Sequence, residues 1–245
     1  MAFPVNLESR SLQGELMDDP QLQREPHHQA LQGLARINRV CRTTQVIWRS
    51  IEKTIQKSPS SPLTVLDIAC GGGDLAINLA RLAKKASYPL VLKGCDISPQ
   101  AIEFARKRAV ASGTNVDFFV QDVFKFPDTM QADIVYSSLF LHHLTDDAAV
   151  QLLTKMSTVA RKLVLVQDLV RSRLGYTCAW LGVRLLTRSR ICHVDGPLSV
   201  RSAFRPSELQ ELAERSGMPT AEITRHWPQR MLLTWSPDGY NSDPP

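Results

Sequence analysis

No stretch of this 245-residue chain stays apolar for long. The longest uncharged, largely apolar run is residues 174–183, ten residues between Arg173 and Arg184, about half of the ~20 that a bilayer span requires. The opening residues Met1 to Glu8 show neither a basic start nor an apolar middle, so no secretory leader is expected. The five cysteines, Cys41, Cys70, Cys95, Cys178 and Cys192, are odd in number and form no C-x-x-C pair. That pattern argues against a disulfide framework and a zinc knuckle and fits a reducing, cytoplasmic setting. Internal repeats and low-complexity tracts are also missing. With 43% hydrophobic and 22% charged residues, the bulk composition is that of an ordinary globular protein. Its one departure is a formal charge of +5, from 29 Lys and Arg against 24 Asp and Glu. Residues 161–190 alone hold seven Arg or Lys and one Asp, so the excess is a local basic rim around an apolar segment. Such a rim favours an amphiphilic or anionic small molecule, or transient contact with a membrane surface, over a long polyanion.

Periodicity organises the rest. Residues 1–26 are polar and patternless and 237–245 hold three prolines, so both ends are expected to be flexible. Between them, 27–236 reads as one domain. Leu31, Leu34, Ile37 and Val40, then Val46, Ile47, Ile51 and Ile55, recur at helical spacing and predict two amphipathic helices over 27–57, a helical lid. After Ser58-Pro59-Ser60-Ser61-Pro62 the pattern changes. Near-continuous apolar runs at 63–69, 90–95, 116–120, 132–136 and 163–166 read as buried parallel strands. Helical segments at 74–85, 99–111 and 146–160 fall between most of them, which predicts an α/β, Rossmann-like, doubly wound sheet. Ligands in such sheets bind outside the carboxyl ends of the strands.

Those ends carry carboxylates. The first strand runs into Asp67-Ile68-Ala69-Cys70-Gly71-Gly72-Gly73-Asp74, where consecutive glycines allow a tight turn and close approach of a ligand. The second strand ends at Asp96 and the third at Asp122. Gly71-x-Gly73-x-x-Ala76 also satisfies a relaxed dinucleotide-binding fingerprint. Asp67, four residues before Gly71, would repel a pyrophosphate, and Asp122 has no place in that scheme.

Over residues 63–170 this constellation resembles the class I S-adenosylmethionine-dependent methyltransferases, whose first motif reads acidic-x-Gly-x-Gly-x-Gly. Here it is Asp67-x-Ala69-x-Gly71-x-Gly73, with alanine at the first glycine. The resemblance implies a seven-stranded sheet whose last strand is antiparallel. It implies S-adenosyl-L-methionine as cofactor, with Asp67 near its amino group and Gly71 and Gly73 against its methionine and ribose portions. Asp96 would take the ribose hydroxyls with Ile97 on the adenine, Asp122 the adenine amino group with Val123 flanking the ring, and Ser138, at the fourth strand's end, would also contact the cofactor. A carboxylate with two acceptor oxygens suits a cis-diol, and another offsets an ammonium charge. Arg36 or Arg39 would close over the cofactor carboxylate from the first helix.

On the acceptor side, Ser137-Ser138-Leu139-Phe140 replaces the (Asp/Asn)-Pro-Pro-(Tyr/Phe) signature of amino methyltransferases. Leu141-His142-His143-Leu144 is similar to small-molecule methyltransferases of quinone biosynthesis. One of His142 and His143 either packs against the cofactor or caps the next helix, or it serves as general base for a phenolic or enolic hydroxyl. Residues 169–205 read as an acceptor-side insertion, an apolar helix followed by a loop holding His193, Asp195 and Arg201. His193 is a third candidate base, oriented by Asp195. Together with Leu31-Gln32-Gly33-Leu34-Ala35-Arg36-Ile37-Asn38-Arg39, these stretches also resemble bacterial methyltransferases encoded beside type III polyketide synthases. The expected function is methyl transfer to an oxygen or carbon of a phenolic, polyketide or quinone-like acceptor. An RNA methyltransferase and a non-catalytic cofactor-binding protein are the alternatives. No metal is implied, because the strand-end carboxylates are committed to the cofactor.

Overall fold

The computed structural model describes residues 6–237 apart from 20, 58–61 and 128; the 58–61 part of the proline-serine break, residues 1–5 and the tail from 238 lie outside the described residues. Among the described residues, seven strands form one sheet in the order β3-β2-β1-β4-β5-β7-β6. The strands are β1 (Leu63–Ile68), β2 (Leu90–Asp96), β3 (Val116–Val120), β4 (Ala132–Ser138), β5 (Ala160–Leu169), β6 (Glu222–His226) and β7 (Arg230–Trp235). β1 to β5 pair in parallel, and β7 runs antiparallel to both β5 and β6. The helices are α1 (Arg24–Val40), α2 (Thr43–Lys57), α3 (Asp74–Lys85), α4 (Pro99–Ala111), α5 (Asp146–Val159), α6 (Arg173–Leu186), α7 (Arg190–Ser202) and α8 (Pro206–Arg215).

Local chemistry explains the boundaries. Ser98 caps α4 by accepting from the Ala101 amide at 3.2 Å with Pro99 at the first position, Thr145 caps α5, and Ser172 caps α6. Each satisfies an amide that the helix itself leaves unpaired. The strands are sandwiched by helices. Leu66, Ile68, Val135, Val164 and Val166 pack with α5 and α8 on one face, and Val65, Ile134, Tyr136 and Leu165 pack with α2 and α3 on the other.

Three expectations change here. The predicted lid splits in function, because α1 covers the site whereas Ile47, Ile51 and Ile55 of α2 are buried against the sheet. The loop expected at 190–204 is helix α7. Ser189 caps its start, and Gly196 admits Val183 of α6 so closely that a β-carbon would lie 2.5 Å from its Cγ1. The N-terminal segment also folds onto the domain from residue 6. Leu7 is buried, its carbonyl accepts from Arg171 Nε at 3.1 Å and Arg205 Nη2 at 3.0 Å, and the Ser11 amide donates to the Arg201 carbonyl. Its anchors are residues distant in sequence, so no local pattern announces it.

Candidate active site

β1 and β4 are neighbours in the sheet, and the chain leaves them in opposite directions, to α3 and α5. This switch point opens a crevice at the strand ends. The cavity there has a volume of about 1360 Å³ and runs from the turn after β1 across to α6. Single small-molecule pockets occupy roughly 300–1,000 Å³, so it has room for two ligands side by side.

The turn after β1 is built by backbone conformations that L-residues disfavour: φ is +55° at Ala69, +50° at Gly71 and +69° at Gly73. Alanine at 69 therefore carries a left-handed strain of about 1 kcal/mol. The two glycines serve different ends. A β-carbon on Gly71 would meet nothing nearer than Leu31 Cδ2 at 3.7 Å, whereas one on Gly73 would lie 2.5 Å from Phe118 Cζ and 2.9 Å from Ala105 Cβ. Gly71 lines the cavity; Gly73 instead packs the turn onto β3 and α4, which corrects its expected place against a ligand.

Asp67, Asp96 and Asp122 all line this cavity, as do Ala69, Ile97, Val123 and Ser138. Asp67 is 2% exposed, and burial together with the nearby Asp74 and Asp96 carboxylates raises its carboxyl well above the usual range, with the Tyr136 hydroxyl opposing. Asp96 accepts from the Gly71 amide at 2.8 Å and the Ser98 amide at 2.9 Å, which fixes both carboxylate oxygens and leaves each a free lone pair. Ile97 beside it is 69% exposed, an apolar surface open to a flat ring. Asp122 caps the short helical turn Val123–Lys125 through the Phe124 amide at 3.0 Å. Ser138 donates to Gln167 Oε1 at 2.6 Å.

His142 and His143 follow on a one-turn helix, Leu141–His143. His142 Nδ1 meets Asp168 Oδ1 at 2.6 Å, and its Nε2 lies 3.6 Å from Glu15 Oε1. Burial works against charge on His142, but Asp168 and Glu15 more than offset it and raise its pKa to about 10. It is therefore an imidazolium at neutral pH, which removes it as a free base. His143 Nδ1 is 2.8 Å from Asp18 Oδ2. Both histidines line the cavity.

Four of the expected residues, His193, Asp195, Arg36 and Arg39, lie elsewhere. His193 engages the Thr187 carbonyl at 2.9 Å through Nε2 and is absent from the cavity wall, while Asp195 accepts from the Leu16 and Met17 amides rather than orienting it. Arg36 and Arg39 are exposed on the outer face of α1. The arginine that reaches the cavity is Arg230, 3% exposed at the start of β7, where it donates through Nη1 to Asn38 Oδ1 at 3.1 Å and Thr43 Oγ1 at 2.6 Å. Asn38 in turn donates to Asp74 at 3.2 Å. Asn38 follows the apolar stripe of α1 by one position, a usable signal; Arg230 and Glu15 had none, since only the sheet order and the folded-back segment bring them to β1 and β4.

The doubly wound sheet with an antiparallel β7, a glycine turn after β1 and acidic groups at three successive strand ends define a class I methyltransferase fold. Comparisons agree. A model of the family described as a methyltransferase domain matches residues 65–162. A ubiquinone biosynthesis O-methyltransferase of Xanthomonas oryzae is 30% identical over 179 residues, 69% of this chain and 70% of that protein. One from Paraburkholderia phytofirmans is 28% identical over 162 residues, 65% of this chain and 66% of that protein. The chain thus spans about two thirds of these relatives. Among solved structures, a magnesium protoporphyrin IX methyltransferase from Synechocystis with bound S-adenosylhomocysteine aligns with a TM-score of 0.57 at 16% identity, covering 84% of this chain and 94% of its own. The plantazolicin methyltransferase aligns with a TM-score of 0.61 at 14% identity, over 79% and 84%. The chain belongs to the S-adenosylmethionine-dependent methyltransferases and uses S-adenosyl-L-methionine as cofactor. No helix among the described residues is long and apolar enough to cross a membrane.

Proposed function

We propose that this enzyme methylates a hydroxyl oxygen, or an activated carbon, of a small phenolic, polyketide or quinone-like acceptor. The observation that carries this reading is the single cavity joining Asp67, Asp96 and Asp122 to His142, His143 and the apolar side of α6. When bound, the cofactor supplies an electrophilic methyl group on a sulfonium. The residues present fit it. Asp67 is a buried carboxyl group facing the place of an ammonium, which would favour its ionised form, Gly71 leaves room before the nearest side chain, Leu31, Asp96 offers paired acceptors to a diol, and Ile97 and Val123 offer apolar faces to a ring. Arg230, rather than Arg39, is assigned to the cofactor carboxylate, since Nη1 is spent on Asn38 and Thr43 and the other guanidinium donors remain.

On the acceptor side the His142 imidazolium, held by Asp168, stabilises an oxyanion, and His143 takes the hydroxyl proton. Most of the rate comes from holding the nucleophile in line with the methyl group. Leu181 and Leu185 line the cavity and are exposed, with the exposed Arg173, Arg184 and Arg188 around them, which favours an amphiphilic or anionic acceptor. The relatives named for ubiquinone biosynthesis support an acceptor of this kind. Calorimetric titration with S-adenosylmethionine checks the cofactor site: Asp96→Ala is expected to weaken binding by about 2–4 kcal/mol through two lost hydrogen bonds, and unchanged affinity would remove the ribose role. A mass-spectrometric methylation screen over phenols, resorcinols and quinones tests the acceptor class, and turnover of RNA alone would overturn it.

A further inference from the structure

We propose that Glu15, His142 and His143 form a divalent-cation site, of zinc type by its donors, at the acceptor end of the cavity. Three observations carry this. First, the donor atoms converge: Nε2 of His142 is 3.6 Å from Glu15 Oε1, Nε2 of His143 is 3.8 Å from Glu15 Oε2, and all three donors lie within 4.8 Å of one another. Tetrahedral bonds of about 2.0–2.1 Å place donors roughly 3.3 Å apart, so closing the site shortens the donor separations by at most about 1.5 Å, shared between the side chains.

Second, both rings are held from behind by carboxylates. Asp168 accepts from His142 Nδ1 at 2.6 Å and Asp18 from His143 Nδ1 at 2.8 Å. A carboxylate can only accept there, so each ring keeps its Nδ1 proton and points Nε2 at Glu15. This is the arrangement that orients metal-binding histidines and raises their basicity. Hydrogen bonding alone needs neither two such pairs nor a third carboxylate opposite both Nε2 atoms.

Third, Glu15 is held in place. Its Oε1 accepts from Ser199 Oγ at 2.6 Å, and the next two amides, of Leu16 and Met17, bind the Asp195 carboxylate at 2.9 and 3.0 Å. Arg10 secures the same segment to the turn that bears the histidines, donating to the Leu144 carbonyl at 2.8 Å. Two imidazoles and one carboxylate, with a fourth position toward the cavity, match a zinc site open to an exogenous ligand better than the all-oxygen shells of magnesium or calcium. With the site filled, Nε2 of His143 is a ligand and no longer takes the hydroxyl proton; the cation takes the place of the Nε2 proton of His142 and holds the acceptor oxygen as an oxyanion, its proton passing to water. The site itself does not depend on the methyl-transfer reading; only that consequence does.

The experiment is to strip the full-length protein with a chelator and titrate it with Zn²⁺ by calorimetry, following Co²⁺ substitution by visible absorption. One equivalent and a tetrahedral Co²⁺ spectrum are expected. Glu15→Gln and His143→Gln should each weaken binding on the order of 100-fold, and Asp168→Asn by about 10- to 100-fold, while His193→Gln leaves it unchanged. Glu15 belongs to a peripheral segment, so its variant tests the site even if changes at the buried His142 impair folding. Absence of a stoichiometric ion in the wild type, or equal affinity in Glu15→Gln and wild type, would overturn the proposal. S-adenosylmethionine binding, measured on the same stripped protein, reports separately on the methyltransferase reading.

Discussion

Gly71 and Gly73 are two residues apart, both in the left-handed region, and differ in what a β-carbon would meet, which makes their alanine variants a controlled pair. At Gly71 the cost to the fold is conformational alone, about 1–2 kcal/mol, because nothing stands nearer than Leu31 Cδ2 at 3.7 Å. At Gly73 the same strain is joined by overlap with Phe118 at 2.5 Å and Ala105 at 2.9 Å. Both are buried or backbone-fixed neighbours, so overpacking adds roughly 1–3 kcal/mol. For a domain of this size about 2–4 °C of Tm is lost per kcal/mol. Thermal unfolding followed by circular dichroism should then show a loss of about 2–8 °C for Gly71→Ala and about 4–20 °C for Gly73→Ala, the second always the larger. Cofactor affinity should order the other way. A methyl group on Gly71 enters the cavity and is expected to weaken S-adenosylmethionine binding by tenfold or more, about 1.4 kcal/mol, whereas one on Gly73 points into the protein and leaves binding by the folded fraction nearly intact. Equal Tm losses, or wild-type affinity in Gly71→Ala, would refute the division of labour between the two glycines.

Replacing Ala69, at φ +55°, by glycine should relieve strain and stabilise the protein by up to about 1 kcal/mol in chemical denaturation; a loss of stability would show that the turn is unstrained there. Arg230→Met should weaken cofactor binding at least tenfold by calorimetry, about 1.4 kcal/mol, while Arg39→Ala leaves it unaffected, and the reverse outcome would restore the outer face of α1 to the site. In chelated protein, His142 has a folded pKa of about 10 against an ordinary 6.5, so its contribution to stability is complete below pH 6.5 and is lost as pH rises through 10. Stability should therefore decline across that window by at most about 1.4 kcal/mol per pH unit from this group. His142→Gln should flatten the decline, and an unchanged slope in that variant would place the titration elsewhere.

Much of this architecture is legible along the chain because its causes are local. The apolar run of β1, the glycines that follow and the carboxylate that ends each of three strands stand within a few residues of the turns they build. Ser98-Pro99 opens α4 by capping chemistry that needs no partner from elsewhere in the protein. The failures share a cause too. The segment holding His193, Asp195 and Arg201 reads as a loop, yet it forms α7, where Gly196 lets Val183 pack, a contact between helices. His193 and Asp195 look like a catalytic pair when read two apart, but on a helix they point in different directions, one to Thr187 and the other to the segment bearing Glu15.

What the sequence determined by itself was the cofactor half of the site, since the strand order of a doubly wound sheet brings successive strand ends together wherever strand and helix alternate. The acceptor half was decided by tertiary structure. Glu15 and Asp18 reach His142 and His143 only because Arg171, Arg205, Asp195 and Ser199 tie down a polar segment that has no periodicity of its own. Arg230 reaches Asn38 because β7 inserts antiparallel beside β5. Contacts of that kind span more than a hundred residues, and their energy comes from burying polar groups against specific distant partners, which no local pattern encodes.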